Sequence, residues 1–451
     1  MYVNPKSTNY QWPVRQRGQA LIYGLFVLAV GFVALFFLFN TAQLSSEKTK
    51  LVNTADAVAY SAGVMHARAL NFAAYTNRAL MANEVLIAQM VSVSSWIDYA
   101  QGHVRGVPPL NCTYPPYSIP AALALVEYLP LCVALSWPPG AVAVNYAKQG
   151  VDMVSPIVMS ASESAKANLQ LAQSTMFAAM LPARSELMQQ VADANYQNDG
   201  SVEVDPLPLI DDFLMHEGGS FITRFSSQDR TRFRQAELTA ANLDEFVPNR
   251  SWSSKSPWPC LPVPPRGDAI RTGGTQLIGF DEWRANDEAS LTVESLHIKL
   301  LSIKCETDAY YDLGSGNRSA RKNQGSWNYS GVPSFFEINK KAQDRVPEDG
   351  DYGPTLRFAV RLVREKEQVR NSGGRSAIKP TGKLSIFEGK EAGGEMAAIA
   401  TSEVYFDRPE KRTDSRQELP SLFNPYWQVH LVANPPAVLA AAIARQSGSS
   451  H

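Results

Sequence analysis

The residues best suited to metal or acid–base chemistry in this sequence are its six histidines, His66, His103, His216, His297, His430 and His451. They lie far apart, and none falls in HExxH or another spacing that would bring two imidazoles to one metal. They therefore read as packed or surface side chains, and no metal is expected. A GxSxG nucleophile elbow does not occur, and Gly382-Lys383 fails as a phosphate-binding loop because Leu384 follows it and Ala377 stands where the earlier glycine belongs. Asp312-Leu313-Gly314-Ser315-Gly316 approaches the DxSxS pattern, in which an aspartate and hydroxyls hold a divalent cation. Gly314 replaces the first serine, and Gly and Asp at these positions suit a turn. No catalytic residue and no cofactor site is expected.

The four cysteines, Cys112, Cys132, Cys260 and Cys305, lack the CxxC spacing of redox and zinc sites. Their even number fits an oxidising compartment and two disulfides. Sequence order suggests Cys112 with Cys132 and Cys260 with Cys305, although four cysteines permit three pairings.

Charge excludes one class of partner. Lys and Arg total 42 against 43 Asp and Glu, a formal net charge of −1, which gives no global drive toward nucleic acid. Locally, Arg357, Arg361, Arg364, Lys366, Arg370, Arg375, Lys379 and Lys383 concentrate positive charge that would attract an acidic partner or lipid headgroups. A solvated sheet face and loop is the expected explanation. Sequons at Asn111, Asn249, Asn317 and Asn328 matter only in a eukaryotic secretory protein.

The elements that would carry these residues divide the chain in two. Residues 40–99 contain no proline and a single glycine, Gly63, while Leu44, Leu51, Ala55, Val58, Ala62, Met65, Ala69 and Phe72 recur at helical spacing. A long alanine-faced helix follows from this, forming a stalk. A second helical region runs from about Val154 to Asn195, with Pro182 marking a kink or break, and the two segments are expected to pair as an antiparallel hairpin. Between them, residues 104–145 read as an irregular, proline-rich loop. After Asn198 the composition turns to strands. Leu356, Phe358, Val360 and Leu362 alternate with Arg357, Ala359 and Arg361 as a half-buried strand would, and SLTVESLHIKLLSIKC, GKLSIFEG, SEVYFD and YWQVHLVA read similarly. Connections are expected at 314–317, 373–374 and 393–394, and the SGSSH tail is expected to be disordered.

Residues 20–39, ALIYGLFVLAVGFVALFFLF, carry no charge and at about 1.5 Å per residue are long enough to cross about 30 Å of hydrocarbon. The run exceeds a signal-peptide core and lacks a small-x-small cleavage site. Lys6, Arg15 and Arg17 precede it, which places the N-terminus in the cytoplasm, with Tyr10 and Trp12 at the interface. Residues 119–137 are also apolar but contain Glu127, Pro120 and Pro130, and read as a buried element. Gly24 and Gly31, seven apart, share a helical face on which a second helix would pack closely.

The expected fold class is thus α+β. A single N-terminal transmembrane helix continues into a long helical stalk or hairpin, and a mainly antiparallel β-rich extracytoplasmic domain follows. The expected divisions are a cytoplasmic tail over 1–18, the transmembrane helix over 19–40, the helical stalk region with its cysteine-containing loop over 41–198, the β-rich domain over 199–440 and a tail over 441–451.

The stretch RGQALIYGLFVLAVGFVALFFLFNTAQLSSEKTKLVNTADAVAYSAG, beginning at Arg17, resembles the leader of TadG-like proteins of the bacterial Tad (Flp) pilus system. A basic-Gly pair opens the apolar helix, and Lys50, Leu51, Asn53, Ala55, Asp56, Ala57, Ala59 and Tyr60 resemble the family's series. LFNPYWQVHLVA, residues 422–433, resembles the C-terminal part of Tad-related proteins with a long extracytoplasmic region. The resemblance implies a non-enzymatic, membrane-anchored component of pilus assembly in the bacterial inner membrane, acting through periplasmic contacts with pilins or other assembly proteins, with homo-oligomerisation left open. A membrane-tethered adhesin or ligand-binding module is the alternative. Related prepilins are cut after a glycine and carry glutamate at the fifth mature position. After Gly18 that position is Tyr23, which implies a permanent tether, and the metal motif of the von Willebrand A domain found in some TadG proteins is missing.

Overall fold

The computed structural model describes residues 19–106, 138–343, 353–370 and 394–448, apart from 212, 214–219, 263–264, 300–301, 411 and 417. Cys112, Cys132, His216, Asn111, Arg375, Lys379, Lys383 and the segments 1–18, 119–137, 373–374, 382–389 and 449–451 lie outside the described residues, and with them Gly18 and His451.

Nothing in the sequence from Gln19 to Gly106 interrupts a helix, and α1 (Gln19–Gly106) is continuous over 88 residues, about 130 Å. It has two regimes. Apolar side chains from Leu21 to Phe39 are exposed, with Leu21 at 70% and Tyr23 at 72%, whereas Leu51, Ala55, Val58, Ala62, Ala69 and Leu70 are completely buried. A water-soluble helix does not present the first kind of surface over such a length.

The second long helix, α2 (Pro138–Asn195), starts earlier than the sequence suggests and runs through both Pro156 and Pro182. Packing against α1 along its length supplies what each proline costs the helix. The two are antiparallel, as expected. Ser94 meets Ser155 at 3.1 Å, Gln173 donates to Thr76 at 2.7 Å, and Arg184 donates to His66 at 3.0 Å, so residue numbers rise on one helix as they fall on the other.

Strands lie along this hairpin in two successive groups. One sheet has the order β1-β9-β10-β11, formed by β1 (Glu203–Asp211), β9 (Leu356–Glu365), β10 (Glu395–Phe406) and β11 (Trp427–Val432). The other has the order β3-β4-β5-β6-β7, formed by β3 (Trp252–Lys255), β4 (Arg266–Ile278), β5 (Glu282–Lys299), β6 (Ser302–Arg321) and β7 (Gln324–Gly325). A small pair, β2 (Ile222–Phe225) and β8 (Phe335–Ile338), lies beside them, together with α3 (Thr231–Ala241), α4 (Lys340–Gln343) and α5 (Pro436–Gly448). The named strand pairs are all antiparallel. Together with the long apolar N-terminal helix, this is the expected α+β class.

The core is threaded by α1. Leu51 to Ala62 pack with Phe358, Val360, Leu362 and Ala398 of the first sheet. Farther along, Ile87, Ala88 and Val91 pack with Trp283 and Ala285, and Ile97 and Ala100 with Leu291 and Leu313 of the second. The helices are therefore clothed by strands, and small side chains make this possible. At Gly63 a Cβ would stand 2.4 Å from Val429 Cγ2 of β11.

Several local expectations are corrected. β9 is not half-buried, because Ala359 and Arg361 are buried as Phe358 and Val360 are, and of the expected open face only Arg357 is partly exposed. The cover on its second face is α5, whose Val438 packs on Ala359 and Leu207, an element not foreseen in the sequence. SLTVESLHIKLLSIKC belongs to two strands, with Lys299 paired to Ser302. Residues 314–317 form no connection and lie within β6, where the register shifts opposite Glu288 and Ser290. The SGSSH segment is entered by α5, which reaches Gly448.

Candidate membrane anchor and the charged junction behind it

Residues 20–39 of α1 constitute the candidate anchor. Among the described residues α1 is the one helix long and apolar enough to cross a membrane, and its most apolar window touches nothing else in the protein. Gly24 and Gly31 both face open space, with nothing among the described residues beyond the helix's own backbone within 4 Å of where a side chain would begin. Tyr23 is equally exposed.

Immediately beyond the apolar run α1 is fastened to the first sheet by charge. Glu47 is paired with Arg364 of β9, both almost fully buried. Arg364 also donates to the Asp199 carbonyl, just after α2. The Asp199 carboxylate in turn meets Lys50 of α1 at 2.6 Å and Arg370 at 2.7 Å. Burial alone would raise the Asp199 carboxyl, but hydrogen bonds from Lys50 and Arg370 hold it below its ordinary range. Tyr196 closes the cluster with its ring beneath Lys50 at 4.3 Å and Arg364 at 4.4 Å. Burial pushes its hydroxyl up to about 12. Lys48 adds a bond to the Ala397 carbonyl of β10. Chemically this arrangement holds, because the cations are spent on carboxylates and carbonyls of neighbouring elements.

For Arg361 and Arg364 that finding corrects the reading of the basic run as a solvated face, while Lys366 and Arg370 remain largely exposed. Arg364 and Arg361 are buried, Arg361 lies 2.7 Å from Glu395 and 3.5 Å from Asp205, Arg357 is 2.5 Å from Glu403, and Arg370 joins the junction. The acids that neutralise them come from distant parts of the chain, so composition in a local window overstated the positive field. Glu47, the first acid after a long uncharged stretch, was the available signal for the junction.

Beside the junction, Ala42, Ser45, Ser46, Thr49 and Asn53 of α1 and Asn195 at the end of α2 line an open cleft of ≈ 660 Å³. Of the sequence series around Lys50, Leu51, Ala55 and Ala59 enter the core while Asn53 stays at the cleft. Half-buried Asp56 has its carboxyl raised by that burial.

The remaining candidates are distributed rather than assembled. Cys260 and Cys305 form a disulfide between the segment before β4 and strand β6, with Cα atoms 6.1 Å apart. His297 pairs with Asp308 at 2.7 Å and His430 with Glu403 at 3.2 Å. His66 is buried between Phe213 and Phe358, and burial together with the Arg184 charge pulls its pKa down to about 3. The Asp312–Gly316 segment owes its glycines to contact with α1, since a Cβ on Gly314 would stand 2.4 Å from the His103 amide nitrogen. No cluster of three metal-ligating side chains occurs among the described residues.

Comparison with curated proteins and with solved structures returned no match. Residues 18–69, which comprise the anchor, Glu47, Lys50 and the first core-forming turns of α1, match the family model described as putative Flp pilus-assembly TadE/G-like, and this match supports a part for the chain in Flp pilus assembly.

Proposed function

We propose that the chain is a non-enzymatic, single-pass component of Tad/Flp-type pilus assembly, tethered in the bacterial inner membrane with its N-terminus in the cytoplasm and its bulk in the periplasm. It works there through contacts with pilins or other assembly proteins. The observation that carries this is the continuity of α1. One uninterrupted helix is bare and apolar over residues 20–39 and then becomes the spine of both sheets, so that force or position in the membrane is transmitted to the whole head. The Glu47–Arg364–Asp199 junction supports the reading because it stiffens the helix where it leaves the bilayer. Tyr23, where related prepilins carry glutamate, supports a permanent tether, and the open faces of Gly24 and Gly31 supply a site for a second membrane helix, from another copy or a partner.

Deletion of the chain from a piliated strain tests this. Surface pili should be lost or shortened and should return with the wild-type gene, and the protein should fractionate with the inner membrane. Normal pilus number and attachment in the deletion strain would remove the assembly role. Recovery of the chain in sheared fibres would favour the adhesin reading.

A further inference from the structure

The helix α3 carries an acid where its packing calls for an apolar side chain. Phe233, Glu237 and Ala241 form its buried face at intervals of one turn, and Glu237 is completely inaccessible. Opposite it, Glu84 of α1 is equally buried, Lys166 of α2 is 1% exposed, and Tyr329 and Trp283 complete the enclosure.

The donors in this enclosure are committed elsewhere. Lys166 Nζ lies 2.5 Å from Glu84 Oε1 and 2.8 Å from Glu163 Oε1, donates to the Gly331 carbonyl at 3.0 Å, and sits 4.3 Å above the Tyr329 ring. Tyr329 Oη and Trp283 Nε1 donate to Glu84 Oε2 at 2.7 Å and 3.3 Å. Arg234, the nearby cation of α3 itself, donates to the carbonyls of Gly279 and Leu277. Neither oxygen of Glu237 makes a well-formed hydrogen bond to a protein donor, and the groups that reach it are the Glu84 carboxyl and the Trp283 indole N–H. Two carboxylates in contact inside a dry enclosure repel each other, whereas a carboxyl and a carboxylate share a hydrogen bond.

We infer that Glu237 holds a proton in the native protein and donates it to Glu84, so that α3 is fastened to the helical hairpin by a carboxyl–carboxylate hydrogen bond that lasts only while Glu237 keeps this proton. Burial first, and the neighbouring Glu84 charge second, push the Glu237 carboxyl well above its ordinary value, with the Lys166 charge and the Trp283 indole N–H opposing. Because the folded value is raised, the contribution is fully present below the ordinary glutamate range near 4.5 and declines as pH rises above it. The contact is independent of the pilus reading, since it concerns how α3 and the second sheet are held to α1 and α2.

The test uses the full chain in detergent. Infrared spectra should show a protonated-carboxyl band that persists at about pH 8, where exposed carboxyls are ionised, and that disappears in Glu237→Gln. Hydrogen exchange of the α3 amides, corrected for intrinsic rates, should show opening that grows by up to about tenfold per pH unit between about pH 5 and pH 8 in the wild type. In Glu237→Gln, whose amide donates to Glu84 without titrating, that slope should vanish. Absence of the band from the wild type at about pH 8 overturns the inference even if the variant fails to fold. Equal pH slopes in the two proteins overturn it as well.

Discussion

Gly316 of β6 stands so close to α1 that a Cβ on it would lie 2.0 Å from the carbonyl oxygen of Ser95 and 2.8 Å from the amide nitrogen of Tyr99. Both obstructing atoms are backbone, which cannot swing aside as a flexible side chain would. The contact is reinforced by the Ser95 hydroxyl, 2.7 Å from Asp287 Oδ2 and 3.1 Å from the Gly316 carbonyl. Gly316→Ala should therefore push β6 off the helix and cost about 2 kcal/mol or more. Denaturant unfolding of the full chain measures this, and unchanged stability would mean the helix and sheet are not in backbone contact.

The Glu47–Arg364 pair makes a second prediction. Both side chains are almost fully buried, and Arg364 also serves the Asp199 carbonyl. Removing one partner leaves the other charge inside, so Arg364→Met or Glu47→Met alone should destabilise by about 3 kcal/mol. The double variant should cost clearly less than the sum, because neither charge is then stranded. A double-mutant cycle followed by thermal unfolding decides it, and strict additivity would show that the two groups do not act together.

These two sites show where the sequence was legible. The anchor, the helical hairpin and strands β9, β10 and β11 of the first sheet announce themselves through apolar length, a 3.6-residue period and alternation, all local signals, whereas the prolines of β1 disguised it as a turn. Gly316 did not announce itself, since the reason for a glycine in mid-strand is a helix more than two hundred residues away in sequence, and its local composition suggested a turn. Arg361 and Arg364 likewise looked like surface charge because their partners, Asp205, Glu395, Glu47 and Asp199, are supplied by tertiary structure. The cover provided by α5 was hidden for the same reason, as an alanine-rich C-terminal segment gives no hint of the sheet face on which it lies.

Acid should loosen the protein through its buried histidines. His66 is held neutral, with its pKa pulled down to about 3 first by burial and then by Arg184, and burial also brings His103 down to about 4. The unfolded chain binds a proton at each site near 6.5 while the folded chain refuses it. Stability from this source is complete above about pH 6.5 and is lost progressively as pH falls toward the folded values, by up to about tenfold in the folding equilibrium per pH unit for each histidine. His66→Gln should show a shallower acid limb than the wild type in unfolding measured across that range. Identical limbs would place His66 in contact with water.

The disulfide offers the last test, because it joins the segment before β4 to a strand that reaches well beyond the end of β4. Pairing of β4 with β5 begins at Arg266 and Glu294, whereas β5 and β6 continue together to Lys299 and Ser302, leaving the far end of the hairpin without a third strand. Cys260–Cys305 ties that end back across a sequence separation of 45 residues. Loop-closure entropy for such a span is worth about 4 kcal/mol in the unfolded state, an upper figure if the reduced chain keeps residual structure. Cys260→Ser with Cys305→Ser should lower the unfolding midpoint and should raise hydrogen exchange in residues 295–299 and 302–306 more than in β9 and β10, which belong to the other sheet. Faster exchange in both sheets alike would show that the bond secures the whole fold rather than the hairpin end.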